Sequence, residues 1–142
     1  PGTGNEGPVV RYGQGTTRLA YDTPGESVAV VTFPICLQVL CSHPNDEVLP
    51  GHPLYAKGLT FYSVHRIANS SRLAALEQAN SVHPSHDAAA YLHNKEHWVF
   101  TFQDATAEFL VLAIPDTKPF FTLCKSWQVA NALLASSERP GG

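Results

Sequence analysis

The chain has 142 residues, 44% hydrophobic and only 15% charged, with a formal net charge of −3. That length suits one domain whose single core buries about two thirds of the surface the unfolded chain exposes, and a charged fraction below the roughly one quarter typical of soluble domains leaves a thinly charged surface, open to self-association as a homodimer. Nine Lys and Arg spread along an acidic chain offer no grip on a phosphate backbone, and the longest apolar run, Val28 to Cys41, is interrupted by Thr32, Pro34 and Gln38 and falls short of the roughly 20 residues a membrane helix needs, so neither nucleic acid nor a membrane is an expected partner.

In chain order, Gly and Pro mark residues 1–8 as a flexible start, and Val9 to Asp22 carries β-type residues broken at Gly13-Gln14-Gly15, the pattern of a hairpin. A turn follows at Thr23-Pro24-Gly25-Glu26. Val28 to Phe33 is apolar on both alternating faces, as in a central strand. Pro34 cannot donate to a ladder, so it predicts a bulge or edge before an extended Ile35 to Leu40. Ser42 to Pro53, with three prolines, reads as a loop. Leu59 to Ile67 reads as a strand, and Asn69-Ser70-Ser71 supplies an N-cap for a short helix through Ala79 with Leu73 and Leu76 facing inward.

A second short helix is expected from Ser85 as cap, with Asp87 in its first turn and His93 near its end, where a cation is favoured. The period then changes to two. Trp98, Phe100 and Phe102 alternate with Val99, Thr101 and Gln103, and Phe109 to Ile114 forms the matching strand after a turn at Asp104-Ala105-Thr106. Asp116 or Thr117 is positioned to cap a last helix through about Ser136, in which Phe120, Leu123, Cys124, Trp127, Ala130 and Leu134 recur at helical spacing. Residues 136–142 form a flexible end. The expected fold is α+β: one domain over residues 9–135, a curved antiparallel sheet with two short helices and a C-terminal helix covering it.

Cys36, Cys41 and Cys124 are odd in number and sit among apolar neighbours, so they read as packing thiols rather than a disulfide framework. Residues 1–7 lack the basic and apolar regions of a signal peptide, which makes the cytoplasm the expected compartment.

The chemistry-bearing residues concentrate between His83 and Glu108, where four of the seven histidines fall beside Asp87, Glu96, Asp104 and Glu108. Metal binding is the first idea that clustered histidines raise. The spacing argues against it, because His83 and His86 flank Pro84, the His93–His97 pair straddles a helix end, and His-Glu-x-x-His is absent. No metal or cofactor is therefore expected. Acid–base catalysis in a pocket fits better: His83, His86 and His97 with Asp104 and Glu108 are the candidate catalytic groups, and His52, His65, Trp98, Phe100 and Gln103 the candidate ligand contacts.

The segments Pro44-Asn45-Asp46-Glu47, Gly51-His52-Pro53-Leu54, His83-Pro84-Ser85-His86-Asp87 and His97 to Thr106 resemble a group of small bacterial proteins of unassigned function, across residues 45–108. The resemblance implies no activity. Its pattern has His where this chain has Gln103 and Ser where it has Ala105, and Gln103 cannot carry a proton at neutral pH. The sequence thus points to a small pocket protein, with a metal-free isomerase, cyclase or lyase acting on a small organic molecule as the leading reading. The alternative is a non-catalytic module that binds a small ligand or a protein.

Overall fold

The computed structural model describes residues 8–13, 16–42, 63–102 and 105–136. Among them, strands β1 (Val9–Tyr12), β2 (Thr17–Asp22), β3 (Val28–Phe33), β4 (Cys36–Ser42), β5 (Val64–Ile67), β6 (Lys95–Thr101), β7 (Thr106–Leu112) and β8 (Phe120–Cys124) are joined by helices α1 (Ser71–Asn80), α2 (Ala88–Leu92) and α3 (Trp127–Ala135). The antiparallel α+β architecture expected from sequence is present, divided into two four-stranded sheets ordered β1-β2-β3-β8 and β4-β7-β6-β5.

The two sheets face each other across an aromatic core. Leu19, Tyr21, Val31 and Phe33 from the first sheet meet Phe100, Phe102, Phe109 and Val111 from the second. Phe33 stacks on Phe109 with ring centroids 4.5 Å apart, and Phe100 stands edge-on to both at 6.1 and 5.6 Å. Edge and face of neighbouring rings carry opposite partial charge, so this arrangement adds specific attraction to the burial of a large apolar area. β3 is buried along its whole length. Its other face, with Ala20 of β2 and Cys124 of β8, takes Ala130 and Leu134 of α3. A strand covered on both sides needs apolar residues at consecutive positions, and Val28-Ala29-Val30-Val31-Thr32-Phe33 supplies them almost throughout.

The last helix is shorter than its periodicity predicts. Pro115 to Thr117 forms a 3-10 turn, residues 120–124 pair as β8 with β3, and α3 begins only after Ser126, whose hydroxyl accepts the Val129 N–H at 3.4 Å. Pro119 fixes its own φ and disfavours a helical Lys118, while β3 has a free edge that an extended Phe120 to Cys124 satisfies with ladder hydrogen bonds. Helical spacing of Phe120, Leu123 and Cys124 carries no weight against those two constraints. Trp127 opens α3 instead and donates its indole N–H to Asp22 Oδ1 at 2.9 Å, fastening the helix to the end of β2.

Two smaller differences concern β4 and α2. The irregularity attributed to Pro34 lies just beyond it, between Cys36 and Gln38. β5 is described only from Val64, the earlier part of the expected strand lying outside the described residues, as does nearly all of the expected Ser42 to Pro53 loop. α2 is capped by Asp87, which accepts the Ala90 N–H at 3.1 Å, and not by Ser85. A carboxylate there stays three residues from its donor, which is the spacing capping requires. Of the thiols, Cys36 and Cys124 are buried and Cys41 is exposed. No helix among the described residues is long and apolar enough to cross a membrane.

Candidate functional site

The alternation along β6 sorts its side chains. Trp98, Phe100 and Phe102 belong to the core between the sheets, so His97, Val99 and Thr101 lie on the outer face of the second sheet. On β7, Ala107, Phe109 and Val111 are the core residues and Glu108 faces outward. Val99 pairs with Glu108 and His97 with Leu110, which sets His97 and Glu108 diagonally across one face, within reach of long side chains. α1 lies over this face.

The helix completes a polar relay. Ser70 Oγ is 2.7 Å from His97 Nδ1, His97 Nε2 is 2.9 Å from Glu108 Oε1, and Arg72 donates from Nε to the same Oε1 at 3.1 Å. Ser70 is the N-cap of α1, and its hydroxyl oxygen accepts the Leu73 N–H at 3.1 Å. These contacts specify one proton arrangement for neutral His97 beside ionised Glu108. The carboxylate only accepts, so Nε2 carries the ring proton and donates it to Glu108, leaving Nδ1 to accept from the Ser70 hydroxyl. Exposures of 7% for Ser70, 2% for His97 and 4% for Glu108 place the array away from bulk water, where each of these bonds is stronger and each unmade one more costly.

The other expected site residues separate from this array. His86 Nε2 meets Glu77 Oε1 at 2.6 Å, its Nδ1 lies 3.1 Å from Asn80 Nδ2, and its ring packs on Tyr91, so it ties α1 to α2. Tyr91 also lies beneath the Lys95 ammonium, which sits 3.9 Å from the ring centroid and donates to the Tyr91 carbonyl; desolvation lowers the Lys95 pKa. His83 is exposed on the turn between the helices, its Nδ1 accepting the Ser85 N–H at 3.1 Å. His65, on β5, pairs with Val99 and so shares the outer face with His97, on the side of β6 away from Glu108. Trp98 and Phe100, expected as ligand contacts, are core residues on the face opposite His97. His52, Gln103 and Asp104 lie outside the described residues.

Glu108, a candidate catalytic acid from sequence, is the third residue of β7 and deeply buried. Ser70 and Arg72 were not among the expected site residues. The alternation of β6 and β7 is enough to put His97 and Glu108 on one face; what links Ser70 to them is the docking of α1, which no local spacing encodes. Among the described residues, no group of three or more His, Cys, Asp and Glu side chains comes together as metal ligands.

No protein-family model, curated protein or solved structure matches the chain. The functional reading therefore rests on the relay's own geometry. Because both nitrogens of His97 are occupied, the ring reaches any further molecule through the Ser70 hydroxyl, and it is the hydroxyl that the array can activate.

Proposed function

We propose that the protein is a cofactor-independent enzyme acting on a small organic molecule by acid–base chemistry, with His97 as the proton carrier and Ser70 as the group that meets the substrate. The observation that carries this reading is the continuous Ser70–His97–Glu108 relay, with spacings of 2.7 and 2.9 Å. Nucleophile, base and orienting acid in hydrogen-bond sequence are what acyl transfer requires, and that arrangement recurs on unrelated folds. The reading departs from the expectation of an isomerase, cyclase or lyase and keeps only its metal-free acid–base chemistry, since a histidine with both nitrogens engaged is poorly placed to take a proton from carbon directly.

In this reaction Ser70 Oγ attacks the acyl carbon of an ester while its proton passes to His97 Nδ1. The bond to the alcohol breaks, and the leaving oxygen takes that proton from Nδ1. Water then attacks the acyl-serine with His97 as base, releasing the acid and restoring the Ser70 hydroxyl. Glu108 stabilises the imidazolium present in each half-reaction, and Arg72 holds the carboxylate in position.

A fluorophosphonate probe and hydrolysis of p-nitrophenyl acetate test the reading together. Modification at Ser70, with hydrolysis falling at least about 10³-fold in Ser70→Ala and His97→Gln, is the expected result. A folded protein that neither reacts with the probe nor turns over the ester would overturn it.

The depth of the relay favours a second reading, in which Ser70, His97 and Glu108 strap α1 to the sheet and the protein is a binding module. In its support, β8 leaves Phe120, Phe121 and Leu123 exposed along one edge of the first sheet. Under that reading the same substitutions lower stability and no serine is reactive.

A further inference from the structure

Beside the relay, an open groove of about 270 Å³ runs between α1 and β4, lined among the described residues by Gln38, Arg72, Ala75, Leu76 and Ala79. We propose that this groove binds a short aliphatic carboxylate. Residues 72, 75, 76 and 79 recur at the i, i+3, i+4, i+7 spacing of one helical stripe, so the groove has a charged end at Arg72 and an apolar wall of two alanines and a leucine. Gln38 pairs with Leu110 and Leu40 with Glu108, which puts Gln38 on the same outer face as the relay.

The groove keeps polar groups available among the described residues. Arg72 uses Nε for Glu108, and its two Nη groups have no hydrogen-bond partner among the described residues. The same holds for the Gln38 carboxamide. Arg72 is 42% exposed, so its outer edge faces the groove mouth while Glu108 fixes its plane from behind. A guanidinium held in that way presents a preorganised fork, and a carboxylate is the anion whose two oxygens match it.

Charge selects the ligand further. Glu108 already offsets the one positive charge of Arg72, so the site has no surplus positive charge, and a monoanion held by directional bonds to the guanidinium is repelled less by Glu108 than a phosphate dianion. Volume selects it too. The groove holds the equivalent of roughly nine waters at about 30 Å³ each, below the usual range for drug-sized ligands and ample for an acid of four to six carbons. As a substrate class this rests on the acyl-transfer reading: the ligand is then the acyl part of a short-chain ester, bound as product with its chain along Ala75, Leu76 and Ala79.

Titrating the ¹⁵N-labelled protein with sodium butyrate, against sodium chloride at equal ionic strength, tests the site without reference to turnover. Saturable shifts at the Arg72 Nε–H, the Gln38 carboxamide and the Ala75 and Ala79 amides are expected. Binding should weaken at least about tenfold in Arg72→Gln, which removes a charge-assisted bond. It should weaken similarly in Ala79→Leu, which fills the apolar end at an exposed position without touching the relay. Ser70→Ala should keep butyrate binding. Absence of saturable shifts, equal shifts with chloride, or full binding in folded Ala79→Leu would overturn the inference. Butyrate binding in a protein inert to the fluorophosphonate removes the catalytic reading and leaves the groove, whereas a reactive Ser70 without butyrate binding removes the groove alone.

Discussion

His97 Nε2 and Arg72 Nε converge on one oxygen of Glu108, at 2.9 and 3.1 Å. A single carboxylate oxygen thus joins a strand residue to a helix residue and balances the guanidinium near the sheet surface. The relay is a structural joint between α1 and the second sheet as much as a chemical array, and its substitution has both kinds of consequence.

Glu108→Ala should lower stability by about 3 kcal/mol, because it removes the acceptor for both donors and leaves the buried imidazole N–H unsatisfied. Glu108→Gln keeps the shape and one acceptor oxygen, and its cost should be near 1 kcal/mol. Urea unfolding with an unchanged slope measures both. A loss under about 0.5 kcal/mol for the alanine variant would show that the joint does not hold α1 in place.

Asn94 carries a φ of 61° at the turn between α2 and β6, and its carbonyl accepts the Ala113 N–H at 2.6 Å. That left-handed conformation is accessible to Asn and Gly and strained for other residues. Asn94→Gly should be close to neutral, while Asn94→Val should cost about 1–2 kcal/mol. Thermal melts of the two variants side by side decide the point, and equal melting temperatures would refute it.

Tyr21 lies in the core against Phe100 and Phe102, and burial raises its pKa above the ordinary phenol value. Folding therefore favours the protonated phenol. Its contribution is fully present below about pH 10, the unfolded value, and is lost as pH rises through the higher folded value. Tyr21→Phe should flatten that alkaline loss, measured as urea midpoints between about pH 8 and pH 11. Parallel losses in both proteins would assign the alkaline weakening to other groups.

What the sequence determined by itself is whatever depends on near neighbours along the chain. Alternation of Trp98, Phe100 and Phe102 predicted β6 and its hairpin with β7, an apolar run predicted the doubly covered β3, and Asn69-Ser70-Ser71 predicted the start of α1. Each follows from side-chain periodicity or capping over a few residues. Only the tertiary structure decided that residues 120–124 are a strand, because the deciding partner is an open edge of β3 far away in sequence. It alone also decided the candidate site: Ser70 and His97 are 27 positions apart and Arg72 and Glu108 are 36. Periodicity assigns each of these residues a face of its own element, but their meeting depends on where α1 docks, and docking is governed by the fit of whole surfaces.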